Sequence, residues 1–269
     1  MPSANGARDR PQSDAPGHLW SYTDPSLTSS VHRTIPPKLH NGTPTSVYVG
    51  LDIHSIGHLN ERDMTMPLDV HLRLNWIDPM LGQYAGSVFE PDWLKRHWQP
   101  DIVFPTCQSA QLHQSNVPNF ALYIEQDGNI AYVTRMHLIL NCPLDLSRYP
   151  FDDQTCALKI SSYGHTFAEM PLHWFNHSAI RLADSVRMRM SNPNLESVEP
   201  IECQASVDGE YKIYARTFKG YRLAKFGCLE AHIHLSRRLS AHILHLYLPS
   251  TLLVLECDVV CCLDACVIS

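Results

Sequence analysis

The segment Leu68-Asp69-Val70-His71-Leu72-Arg73-Leu74-Asn75-Trp76 is apolar at every even position and polar at every odd one. That period of two is the mark of a half-buried β-strand. It places Asp69, His71, Arg73 and Asn75 together on the solvent-facing side. Val47, Val49, Leu51 and Ile53 alternate with Tyr48, Gly50 and Asp52 in the same way. Asn129 to Leu140 reads as another strand, introduced by an Asp127-Gly128 hairpin turn. Ala157 to Ser162 and Cys228 to Leu235 read as two more. Many short strands at this spacing, with no internal repeat, predict a mainly β fold, an immunoglobulin-like antiparallel β-sandwich.

A chain of 269 residues can bury a sizeable core in one or two domains. The net charge of -6 and the lack of a dense Lys/Arg run argue against nucleic acid as a partner. Nineteen prolines lean toward a loop-rich β fold. No P-loop, nucleophile elbow or dinucleotide fingerprint is present, so neither an enzyme nor a bound cofactor is expected. Sixteen histidines invite a metal reading. His232 and His234 share a strand face, and His242 and His245 a helix face. Yet there is no Cys-x-x-Cys with paired histidines and no His-Glu-x-x-His, so no metal site is assigned. Of nine cysteines, Cys142, Cys156, Cys203 and Cys228 are candidates for pairing, four crowd the last thirteen residues, and Cys107 reads as a buried free thiol. Asn41 and Asn176 head sequons that suit glycosylation of a secreted surface.

The ends differ from the body. Residues 1–30 are polar and rich in Pro, Ser and Gly, and are expected to be disordered. No apolar h-region stands there, so an extracellular reading needs a signal peptide that this chain does not show, which hints at a fragment or an incomplete gene model. Ala241 to Leu255 is largely apolar, contains Pro249 and follows Arg237-Arg238. It looks like the start of a transmembrane helix, cut short by Glu256 and Asp258 before the roughly 20 residues that a span needs. The expected organisation is therefore a sandwich over 31–238 and a truncated first transmembrane helix with an atypical Cys-rich tail over 239–269.

Several motifs stand in order along the body: LRLNWIDPML (Leu72 to Leu81), WQPDIVF (Trp98 to Phe104), GNIAYVTRMHLILNCPLDL, SSYGHTF, and CLEAHIHLSRRLSAHILHLYLPSTLLV. Between Cys142 and Cys156 lie thirteen residues, PLDLSRYPFDDQT, with an aromatic-Pro-x-Asp tip. Together these resemble the extracellular domain of the Cys-loop receptors, the pentameric neurotransmitter-gated ion channels. The resemblance covers roughly residues 31 to 254 and is greatest to invertebrate glutamate-, histamine- and glycine-gated chloride channels. It implies a domain outside a postsynaptic plasma membrane, with a small amino-acid or amine neurotransmitter as ligand. The implied partners are the other subunits of a homo- or heteropentamer, and the membrane through the C-terminal helix. The pore-lining helix is not in this chain, so the runner-up reading is a pore-less binding, decoy or dominant-negative protein of the same fold.

The resemblance also implies site residues. It pairs Cys142 with Cys156, which on the chain-entropy model stabilises by about 3 kcal/mol, and Cys203 with Cys228, under a ligand-capping loop. Arg73 matches the arginine that holds an agonist carboxylate, and a guanidinium fork suits that role. His71 shares its face, and Arg135 matches a second basic position. Two departures stand beside them: Val133 replaces a hydroxyl and His54 an arginine of the glutamate-gated members. Ser162 and Tyr163 match the binding-site box, and Tyr221 and Phe226 the aromatics of the capping loop. Such rings attract an ammonium group by about 0.5–2 kcal/mol each. At the membrane side, Tyr149, Pro150 and Asp152 form the loop tip, and Arg237 is the basic residue expected near Asp152 for gating coupling.

Overall fold

A computed structural model describes residues 35–37, 42–88, 96–184, 186, 194–203, 213–217, 220–237 and 243–256. The alternating segments become the two longest neighbours of one sheet, β1 (Val47–Ile56) and β2 (Thr65–Ile77). The inward residues of β2, Met66, Leu68, Val70, Leu72, Leu74 and Trp76, are all buried, as are Val47, Val49, Leu51 and Ile53 of β1. Short strands β3 (Gly86–Val88), β4 (Ile102–Val103), β5 (Cys107–Leu112) and β6 (Phe120–Ile124) lead to β7 (Asn129–Asn141). Then come β8 (Asp153–Thr166), β9 (Leu172–Trp174), β10 (Ile180–Leu182), β11 (Asn194–Glu202), the hairpin β12 (Ile213–Thr217) with β13 (Gly220–Ala224), and β14 (Phe226–Ser236).

The strands form a β-sandwich of two packed sheets. The larger has eight strands, with the path β10-β1-β2-β7-β6-β3, β5 added on β7 and β9 on β1. The smaller has four, in the order β11-β14-β8-β4. The pairing is antiparallel except where β9 and β10 dock in parallel along β1. Those two are three-residue strands that close an edge of the larger sheet rather than form crossover units.

Both expected disulfides are present, and they do different jobs. Cys142 follows β7 and Cys156 lies in β8, so their bond ties the larger sheet to the smaller one. Both residues are fully buried in the shared core. Cys203–Cys228 instead clips β11 to its neighbour β14 within the smaller sheet. Cys107 is free and half-buried, and burial pushes its thiol up to about 12, which makes it inert as a nucleophile.

The Asp127-Gly128 turn joins β6 to β7 with one residue more than a two-residue hairpin. Glu125 N–H donates to Asn129 O at 2.9 Å, and Gly128 N–H donates to Glu125 O at 3.0 Å. Gly128 has φ 83°. A Cβ at this position would also stand 2.3 Å from the carbonyl oxygen of Asp78. The 3-10 turn Pro79–Tyr84, capped by Asp78, packs there and buries Leu81. The IDPML part of the first motif is thus a capped turn seated on the β6–β7 hairpin.

At the C-terminal side a π-helical turn, Ile243–Tyr247, leads into helix over 248–256. Among the described residues no helix is long and apolar enough to cross a membrane. The residues expected to be disordered at the N-terminus, the sequon at Asn41, His242 and the Cys-rich tail lie outside the described residues.

Gly128→Ala should destabilise the domain by about 1–3 kcal/mol, the usual cost of a side chain held at positive φ. Gly86, also at positive φ but with open space where a Cβ would stand, should tolerate alanine better. Urea unfolding of both variants measures the difference.

Candidate functional site

The register of three strands assembles the polar face. Across from β2, Arg73 stands opposite Gly50 of β1 and Val133 of β7. His71 stands opposite Asp52 and Arg135, and Asp69 opposite Ser55 and His137. The alternation of β2 therefore fixes which charges meet.

Arg73 is held on several sides. Nη2 donates to the carbonyl of Ser178 at 2.7 Å, and Nε stands 3.0 Å from Asp52 Oδ1. That second contact is charge against charge, because the two atoms lack hydrogen-bond alignment. The guanidinium also lies 5.2 Å from the centroid of the Phe175 ring. Gly50 makes room for it: a Cβ there would come within 2.8 Å of Arg73 Cζ. Only 14% of the side chain is exposed. Burial draws its pKa below the ordinary arginine value, with Asp52 opposing. Arg181 Nε stands 3.9 Å from the same Asp52 oxygen.

Beside it, His54 Nε2 and His71 Nδ1 are 2.9 Å apart. Burial, then the charges of His54 and Arg135, hold the His71 imidazole below its usual value, against Asp52. Asp69 accepts from Ser55 Oγ at 2.9 Å and faces His137 Nδ1 at 2.8 Å. Its second oxygen lies 3.9 Å from Arg135 Nη2. Burial pushes the Asp69 carboxyl up, but His137 and Ser55 outweigh it and the net direction is down.

Of the expected aromatic residues, Tyr163 and Phe226 lie on the smaller sheet and Tyr221 on the separate β12–β13 hairpin. Tyr163, near the end of β8, is 72% exposed. Ser162 beside it points inward and is buried. Its hydroxyl donates to Asp101 Oδ1 at 2.7 Å and accepts from His165 N–H at 3.0 Å. The Gly164 N–H donates to the other Asp101 oxygen, and the Tyr163 N–H donates to the Asp101 carbonyl. Asp101 of the WQPD motif is therefore the clamp that shapes the loop presenting Tyr163. Phe226, half-buried at the start of β14, pairs with Thr166 of β8. Tyr221 lies in β13, opposite Arg216. Arg73, His71 and Arg135 thus share one sheet, and Ser162, Tyr163 and Phe226 the other.

The third cluster lies where the Cys142–Cys156 loop meets the end of β14. Arg237 grips Asp152 with a fork: Nε donates to Oδ1 at 2.8 Å and Nη2 to Oδ2 at 3.0 Å. Nη1 donates to Glu61, in the turn between β1 and β2. The guanidinium lies 4.8 Å from the Tyr149 ring centroid, with Pro150 next in the tip. Gln154 Nε2 donates to Asp152 at 2.6 Å. The side chains are 7% and 2% exposed, so this is a buried, bidentate pair. The Arg237 hydrogen bonds hold the Asp152 carboxyl below the usual carboxylate range, against the effect of burial. A cavity of about 230 Å³ adjoins it, lined by His58, Leu59, Glu61, Asp152, Gln154, Leu235 and Arg237.

Asn176 is exposed, and its sequon forms the loop whose Ser178 carbonyl meets Arg73. Asp52, Phe175, Asp101, Glu61 and Gln154 were not singled out from the sequence. Asp101 had a signal, the WQPD motif. Asp52 had one too, its outward place in the β1 alternation, but its partner depended on register.

Residues 25–239 match the family described as neurotransmitter-gated ion-channel ligand binding domain, and the chain belongs to that family. The family is one of ligand-gated channels and not of enzymes; it implies a small-molecule neurotransmitter and assembly with other subunits.

The depressed Asp152 pKa sets a sign for acid sensitivity. Its contribution is present above the unfolded-state value of about 3.9 and is lost as pH falls through the lower folded-state value. Asp152→Asn should therefore lower stability at pH 7 and flatten its decline below pH ~4, followed by denaturant midpoints across pH. Arg237→Ala, which strands a buried carboxylate, should cost about 3 kcal/mol.

Proposed function

We propose that this domain is the extracellular part of a neurotransmitter-gated channel subunit of the anion-selective, invertebrate-like branch, and that its agonist is a small amino acid or amine. The observation that carries the reading is the separation of Arg73 and Tyr163 onto different sheets. Each set is half a site. The polar face of β1, β2 and β7 in one subunit meets the Tyr163, Phe226 and Tyr221 side of the next, so the site is complete only in an assembly.

Arg73 supplies the carboxylate contact, with Arg135 adding positive charge. Because Arg73 is already paired with Asp52 and Ser178, an agonist carboxylate enters by exchange rather than by meeting a bare cation. Tyr163 supplies a ring face for the ammonium end. Ser162 acts through Asp101 as a positioning residue. The Asp152–Arg237 junction passes the change to the membrane side, since Glu61 of the β1–β2 turn contacts the same guanidinium.

Arg73→Ala in an assembled receptor should weaken binding of an amino-acid agonist at least tenfold, and Arg73→Lys should not restore it. Tyr163→Ala should weaken both amino-acid and amine agonists. Radioligand binding checks both, and unchanged affinity in Arg73→Ala would remove the carboxylate assignment.

A further inference from the structure

The order β10-β1-β2 in the larger sheet puts one carboxylate between two arginines. Asp52 of β1 pairs in register with Arg181 of β10 on one side and with His71 of β2 on the other. Arg73 lies two residues along β2, within diagonal reach across the strands. The β1–β2 pairing is regular as far as Ile53 and shifts only beyond it, at a β-bulge that leaves His54 as the extra residue. Asp52 therefore sits in the regular stretch, and register fixes its place. Its Oδ1 faces both guanidiniums, Arg73 Nε at 3.0 Å and Arg181 Nε at 3.9 Å.

Ser178 ties the same two arginines together. Its carbonyl accepts from Arg73 Nη2 at 2.7 Å, and its hydroxyl accepts from Arg181 Nη2 at 2.9 Å. It does so from a backbone at φ 59°, a region that residues other than glycine seldom occupy. Neither contact of Asp52 is complete. The one to Arg73 lacks alignment, and both atoms are shut off from solvent without a hydrogen-bond partner among the described residues. The one to Arg181 is an ion pair too long for a hydrogen bond.

From this geometry we propose that Asp52 is a built-in competitor for the agonist carboxylate at Arg73, and that Arg181 is the positioning residue that receives Asp52 when the agonist displaces it. The proposal rests on the reading of Arg73 as the carboxylate contact. A ligand carboxylate that meets a guanidinium as a fork makes two aligned bonds, where Asp52 makes one skewed contact. Arg181 is 57% exposed, so its side chain has room to follow. A shift of about 1 Å brings it within hydrogen-bond length of Asp52. Charge then stays balanced, with the ligand on Arg73 and Asp52 on Arg181. His71, the other neighbour of Asp52, is a poorer acceptor, because burial first of all holds its imidazole below the usual value and so neutral. Asp52 thus lowers affinity for carboxylate ligands, and Arg181 raises it by acting through Asp52.

The test is saturation binding of tritiated glycine and tritiated glutamate to the assembled receptor at neutral pH. Asp52→Asn should tighten binding of the probe by about threefold or more, and Arg181→Gln should weaken it by a similar factor. Arg181→Lys should keep most of the affinity, since a point charge suffices for this role. In the Asp52→Asn background Arg181→Gln should have no further effect, which a residue that touches the agonist directly would not show. Arg181→Gln alters an exposed side chain, so it tests the exchange even where Asp52→Asn fails to assemble. Arg73→Ala separates the two levels. If neither probe binds the parent, or Arg73→Ala leaves binding unchanged, the reading of Arg73 falls and this proposal with it. If Arg73→Ala abolishes binding while Asp52→Asn fails to tighten it, the proposal alone is overturned. Equal losses from Arg181→Gln with and without Asp52, or no loss from Arg181→Gln, would also overturn it alone.

Discussion

The ladder between β2 and β7 is the constraint on which the other features depend. It runs through thirteen paired positions, from Thr65 opposite Asn141 to Ile77 opposite Asn129. A slip of one residue would turn six buried side chains of β2 outward and carry Asp69, His71 and Arg73 into the core. Burying those groups unpaired would cost far more than a domain's net stability of about 5–15 kcal/mol. The hydrophobic pattern therefore selects the register, and the register in turn places Arg73 against Gly50 and His71 against Asp52. Polar function on this face is a consequence of apolar packing on the other.

Much of this was legible because periodicity and burial are local signals. The alternation of β2 and β1, the strand after Asp127-Gly128, and the outward set of Asp69, His71 and Arg73 could be read directly from residue order. The partners of Arg73 could not. Phe175 and Ser178 reach it from a loop about a hundred residues away in sequence, and nothing local marks them. The bulge at His54 was invisible for another reason: a one-residue irregularity depends on how two strands pair, not on either strand alone. Ser162 differs again. The resemblance put it with the ligand contacts; the end of β8 turns it inward, and Asp101 takes up its hydroxyl.

The buried Asp152–Arg237 pair is costly to assemble. Two charges lose most of their hydration, and such a pair is often no more stabilising than apolar residues of similar volume. Bidentate geometry, the Gln154 amide and the Glu61 contact offset that cost by satisfying both groups. What the pair does provide is uniqueness. A guanidinium that is paired on three sides has few alternative seats, so the Cys142–Cys156 loop, the β1–β2 turn and the end of β14 are fixed relative to one another.

Under the proposed function, β1 and β2 become the element common to both ends of the domain. Their strand bodies carry Gly50, Asp52, His71 and Arg73, and their turn carries Glu61 to the Arg237 guanidinium. An agonist that exchanges for Asp52 at Arg73 alters the charge balance on this hairpin at one end. The long antiparallel ladder resists bending, so the response most available to it is a shift of the hairpin as a body against the smaller sheet. Such a shift strains the Glu61–Arg237 contact at the other end. The coupling needs only one stiff hairpin and two ion-paired ends, each able to exchange partners.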